Sequence, residues 1–210
     1  DTGESAIGPF GLMDGLGIFA YSGLFPPEPT GWTKYFLGWA DPVEMTAGFP
    51  TSLDYVGNEN TSPQARASIS PAEYFLIENR HRDPEGDGVV LQVWNGGVIS
   101  EVRFENGAPG FNSSTVNEFP GGVVGSVDQY DFALPGGKDE DDIDLIGGAL
   151  IWHVDERVIS AGLASNQVNA DENRRGLDLE EADSAQDIGH PTGGFFGPSF
   201  HLGSPFDFFY

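Results

Sequence analysis

Gly148-Ala-Leu-Ile-Trp-His-Val154 is a nearly continuous apolar run, and its reading decides the fold. Such a run between turn residues predicts a central strand covered on both faces. Glu73-Tyr-Phe-Leu-Ile-Glu-Asn79 has the aromatic and β-branched content of a second strand. Val89 to Trp94 and Val98 to Phe104 flank Asn95-Gly96-Gly97, a hairpin signal because turns with positive φ favour Asn and Gly. Val123 to Val127 is a further strand candidate, and Leu177 and Leu179 alternate with Asp178 and Glu180 as in a strand exposed on one face. Helical signals are short. Thr30 can cap a helix over Trp32 to Leu37, where Trp32, Tyr35, Phe36 and Trp39 predict one apolar face packed on a core. Arg157 to Ala164 predicts one or two further helical turns. Thirty glycines and fifteen prolines argue against anything longer. The expected fold is α+β, mainly β, with a region 1–50 that carries the first helix and a β-rich subdomain 51–210 packed on it. Residues 1 to 30 read as irregular, and the Gly- and Phe-rich tail from His190 to Tyr210 reads as an ordered loop that needs a neighbour.

The formal net charge is −24, from 9 basic and 33 acidic residues. Phosphate binding needs a basic footprint, so nucleic acid is excluded as a partner, and anionic membrane surfaces are disfavoured. Divalent cations, which prefer oxygen ligands, are the natural partners of such a chain; a high-salt habitat is a second explanation of the acidity. There is no cysteine, which removes disulfides, thiolate metal sites and cysteine nucleophiles. No run of 18 apolar residues occurs, so no membrane span is expected. The composition is that of an extracellular or cell-surface protein braced by calcium. The chain opens at Asp1 without a signal peptide, as expected of a processed or truncated sequence.

The best local metal signal is Asp83-Pro-Glu-Gly-Asp-Gly88. Asp83, Glu85 and Asp87 alternate like the opening of a calcium loop, and Gly88 permits the turn; the twelfth position is Trp94 where such loops carry a glutamate. The competing reading is a solvated acidic turn. Lys138-Asp-Glu-Asp-Asp-Ile-Asp144 and the group Asp171, Glu172 and Asn173 are further acidic candidates, read first as solvated loops. His153 and Asp155 lie two apart and share a strand face, either as a cleft or metal pair or as a hydrogen-bonded structural feature. Glu73 and Glu78 fall on opposite faces and make poor general acid and base partners. Trp94 and Trp152 are candidate sugar platforms, but their apolar strands favour core packing. Nucleophile-elbow, phosphate-loop and dinucleotide signatures are absent.

Five fragments occur in a fixed order: Gly11-Leu-Met-Asp14, Trp32-Thr-Lys-Tyr-Phe-Leu-Gly-Trp39, Glu73-Tyr-Phe-Leu-Ile-Glu-Asn-Arg80, Leu150-Ile-Trp-His-Val-Asp-Glu156 and Asn173-Arg-Arg-Gly-Leu-Asp-Leu-Glu-Glu-Ala-Asp183. This set resembles the secreted metalloproteases of the immune inhibitor A family, over essentially the whole chain. The resemblance implies the C-terminal part of a metzincin-like peptidase domain with a β-rich extension, whose partner is a peptide or protein substrate. It implies that Met13 lies in a methionine turn, as the packed floor beneath a zinc ion, and makes Tyr21 a candidate donor to an oxyanion. Family members hold zinc through His-Glu-x-x-His. None of His81, His153, His190 and His201 has a partner three or four residues away, so the zinc ligands are expected outside this chain and the chain alone is expected to be inactive.

Overall fold

The computed structural model describes residues 6–12, 14, 26–56, 63–104, 122–128, 130–194, 197–201 and 203–210. Met13 and Tyr21 lie outside the described residues. The fold is mostly β, with few and short helices. Its centre is a five-stranded sheet of order β1-β2-β3-β9-β10, formed by Val43–Glu44, Ala65–Ser70, Glu73–His81, Gly147–Asp155 and Leu177–Glu180. All neighbours are antiparallel except the edge pair β1 and β2. β3 and β9 run together from Glu73 opposite Asp155 to His81 opposite Gly147.

A three-stranded sheet of order β5-β4-β6 lies in the chain between β3 and β9, from Val89–Asn95 (β4), Val98–Phe104 (β5) and Val123–Val127 (β6). Gly96 and Gly97 both have positive φ, 58° and 85°, and form a two-residue turn at the expected hairpin, β4 reaching Asn95, one residue further than expected. Short pairs close the remainder: Gly137–Lys138 (β7) with Asp144–Leu145 (β8), and Pro191–Gly194 (β11) with Gly197–Phe200 (β12).

Period-two alternation decides which face of the central sheet is buried. On β9, Leu150, Trp152 and Val154 are inaccessible to solvent, while Ala149, Ile151 and His153 are only half-buried. The expected two-sided burial is therefore met on one face alone. The core joins these residues to Tyr74 and Leu76 of β3, Leu177 and Leu179 of β10, Ile7 and Phe10 near the start, and Phe208 near the end. Thus part of the segment read as irregular is firmly packed. The tail also differs from the expected loop: it contains the β11–β12 hairpin, buries Phe208 and pairs the Phe209 backbone with Ala149.

Among the described residues, two α-helices flank the sheet. Thr30 caps α1 (Gly31–Phe36) by accepting from Thr33 N, as its position predicts. The apolar-face expectation fails, however: Phe36 and Trp39 are 60% and 63% exposed, and the buried side chain of α1 is Lys34. Trp32 and Tyr35 do pack against the core. Asp155 caps α2 (Glu156–Gly162), accepting from Arg157 N at 3.0 Å.

Candidate functional site

The inward face of β3 carries Tyr74, Leu76, Glu78 and Arg80 in one phase, so two charges enter the interior beside two hydrophobes. A buried charge is costly unless it is paired and hydrogen-bonded. Glu78 Oε1 accepts from Trp152 Nε1 at 2.8 Å, and its Oε2 lies 2.7 Å from Lys34 Nζ. Arg80 Nε donates to Asp131 Oδ2 at 2.7 Å, and Nη1 donates to Phe10 O at 2.6 Å. Asp131 Oδ1 in turn accepts from Glu28 N at 2.9 Å. Burial opposes ionisation of Asp131, but the Arg80 guanidinium outweighs it and holds the carboxyl below the usual carboxylate range. Burial, reinforced by the Asp131 charge, pushes Glu28 above its ordinary value.

The network's purpose is visible in what it holds. Phe10 ends a single 3-10 turn, Gly8–Phe10, that opens a loop whose described residues are Gly11, Leu12 and Asp14. The same loop is tied by Leu12 N to Glu28 O and by Asp14, whose Oδ2 accepts from Ala6 N at 2.8 Å and Ile7 N at 3.1 Å. Arg80 therefore anchors the start of the loop, and Asp14 closes it on itself. Sequence reasoning missed Lys34, Arg80 and Asp131. The signal for two of the charges was present, because Glu78 and Arg80 fall in phase with Tyr74 and Leu76.

A second cluster joins β10 to the tail. Glu181, Asp183 and Asp207 each offer a carboxylate oxygen within 4.8 Å of the others, the sole such trio of potential ligands among the described residues. Glu181 and Asp207 are 5% and 1% exposed. Both Glu181 oxygens accept backbone hydrogen bonds, from Asp187 N and Ile188 N, and Asp207 Oδ2 accepts from Ser204 N. Burial pushes both carboxyls above their ordinary values. Positive φ at Ser184 and Gln186 folds the intervening turn back onto Glu181. The donors are all oxygen, a set that suits hard cations. Asp207 lies far from the other two in the chain, so no local motif announced the group.

The residues read as metal candidates from sequence are placed differently. Asp83 is buried and accepts from Asp87 N at 3.2 Å and Gly88 N at 3.0 Å, closing its own turn. Glu85 points outward, and Asp87 pairs with Arg103 at 3.1 Å, so Asp83, Glu85 and Asp87 are not gathered around one point. Lys138 to Asp144 forms the exposed β7–β8 turn, in which Asp139 accepts from Asp141 N and Ile143 N. Asp171 likewise accepts from Asn173 N.

His153 and Asp155 take separate partners. His153 Nε2 lies 3.1 Å from Glu73 Oε1, whereas Asp155 holds Arg157 Nε at 2.9 Å. The Arg157 side chain, helped by backbone N–H groups at the start of α2, holds the Asp155 carboxyl below its usual range against the opposing effect of burial. His190 and His201 face Glu172 and Asp187 at 3.8 and 2.6 Å. No three of the four histidines converge with a carboxylate. Among the described residues, therefore, no histidine belongs to a group of three potential metal ligands that could hold zinc.

His81 lines a hollow of about 470 Å³ on the half-buried face of the sheet. Burial lowers its pKa below the ordinary value, against a small opposing effect of Asp131. On the outer sheet, Trp94 is 57% exposed and lies over Gly125, whereas Trp152 is wholly buried; the core-packing expectation holds for one tryptophan and fails for the other.

No protein-family model, no curated protein and no solved structure matches this chain.

Proposed function

We propose that this chain is the C-terminal part of the peptidase domain of a secreted zinc metalloendopeptidase of the immune inhibitor A type, acting on peptide or protein substrates outside the cell. The five ordered fragments motivate the reading. The observation that supports it is the anchoring of the Phe10 carbonyl, three residues before Met13 in the sequence, by Arg80, which is itself held by Asp131. Buried ion pairs are seldom the cheapest way to stabilise a core, and one spent on the Phe10 carbonyl holds that stretch of backbone in a fixed position. That is the property required of a floor beneath a metal. The zinc ligands of this reading belong to other polypeptide, since the histidines here do not converge. The test is to express the protein with its preceding coding sequence and to measure metal and casein hydrolysis beside residues 1–210 alone. The longer protein should carry one zinc and lose hydrolysis with 1,10-phenanthroline, and residues 1–210 should be inactive. A longer protein without zinc sinks the reading.

The Glu181, Asp183 and Asp207 trio favours a second reading, an extracellular β-rich module for adhesion or structure that calcium stabilises. The two readings separate on the zinc measurement, because only the first requires that metal.

A further inference from the structure

The hollow beside His81 is walled by Leu53, Ile77 and Phe209 and opens past Tyr210. Its volume, about 470 Å³, falls within the range of sites that take small organic ligands. In a chain of net charge −24, none of its ten lining residues is an acid, a lysine or an arginine. Asn79 and His81 leave the same face of β3 into it, beside the Thr51 and Tyr210 hydroxyl-bearing residues of the lining, and the Tyr210 hydroxyl is engaged with Pro205 O. Asn79 Nδ2 donates to Leu53 O at 3.4 Å, and an amide retains further donor and acceptor capacity. Burial keeps His81 neutral at neutral pH, so its imidazole offers one donor and one acceptor without a charge.

The walls are also built before any ligand arrives. Phe209 exchanges backbone hydrogen bonds with Ala149 at 2.9 and 3.0 Å. A Cβ on Gly148 would meet Phe209 O at 2.8 Å, so the glycine lets the tail lie tight against β9. Preformed walls spare a ligand the entropy of ordering them.

We propose that this hollow binds an uncharged aromatic ring bearing one hydrogen-bonding substituent, with the ring between Ile77 and Phe209 and the substituent toward Asn79 and His81. A charged ligand would be desolvated there without a partner. A saturated ring would forgo the edge and face contacts that Phe209 gives a flat one.

The probe is p-cresol, read by NMR at the four assigned histidine rings of residues 1–210. Saturable movement of the His81 signal, with a dissociation constant on the order of 1 mM, is the expected result. His190 should not respond. Cyclohexanol and p-toluate, which change flatness and charge respectively, should bind at least tenfold more weakly. Ala149→Leu fills the hollow from β9 and should weaken p-cresol tenfold or more. Thr51→Trp, placed on the loop at the mouth, should do the same with an unchanged melting midpoint, which covers the case in which the strand variant misfolds. No saturable shift of His81, equal affinity for the three probes, or undiminished binding to Thr51→Trp overturns the proposal.

Discussion

Lys34, Glu78, Arg80 and Asp131 form a buried network of charges, an unconventional choice for an interior. Removing one member leaves another charge buried without its partner, so Asp131→Asn should cost about 3 kcal/mol in urea unfolding at neutral pH. The pH dependence has a defined sign. Asp131's folded pKa lies below its ordinary 3.8, so its stabilisation is complete above that value and is lost as pH falls through the folded one. The variant should therefore lose stability less steeply in acid than the parent. Glu28 acts oppositely, because its raised pKa makes ionisation unfavourable to the fold as pH climbs from 4.5. An acid limb that is identical in parent and variant would show that Arg80 does not govern Asp131.

At the scale of elements, the long strands were legible from apolar content, but alternation foretold the dry face only for Leu177–Glu180. Gly147–Asp155, which reads as covered on both faces, is dry on one. Glu73–His81, Gly147–Asp155 and Leu177–Glu180 follow their apolar patterns, and the Gly96–Gly97 turn follows from its residue types. Ala65–Ser70 was not legible, since Arg66 and two serines give it no apolar stripe and its place is set by pairing with β3. α1 misled because its aromatic spacing is real, yet Lys34 reaches Glu78 and so turns the helix to leave Phe36 outside. The tryptophans make the same point measurable. Trp152 fills the core, and Trp152→Ala should cost about 3–5 kcal/mol. Trp94 stands on the outer face of β4, and Trp94→Ala should cost less than about 1 kcal/mol. Comparable losses in thermal unfolding would mean that the outer sheet face is covered.

For the whole molecule, the question is how so acidic a chain stays closed at the junction of β10 and the tail. Glu181 and Asp207 are buried near one another and near Asp183. Calcium should raise the melting temperature, by the equivalent of about 1.4 kcal/mol at ten times its dissociation constant. Asp207→Asn should abolish that increment, and magnesium should give a smaller one because it tolerates less irregular geometry. If calcium leaves the melting temperature of the parent unchanged, the cation reading of the trio fails, whatever the zinc content of a longer protein.

Sequence alone determined the mainly β character, the positions of the long strands and the hairpin turn, and the exclusion of cysteine chemistry, because these depend on residue type and short-range period. It also supplied the ordered fragments on which the protease proposal rests. Only the tertiary structure decided which charges face inward and which acids meet. Glu78 and Arg80 become interior residues because Lys34 and Asp131, distant in the chain, arrive to neutralise them. Asp83, Glu85 and Asp87 stay apart, although their spacing suits a cation, because Asp83 spends its oxygens on its own turn and Asp87 faces Arg103. Local spacing sets which side chains can converge; the partners brought by folding decide whether they do.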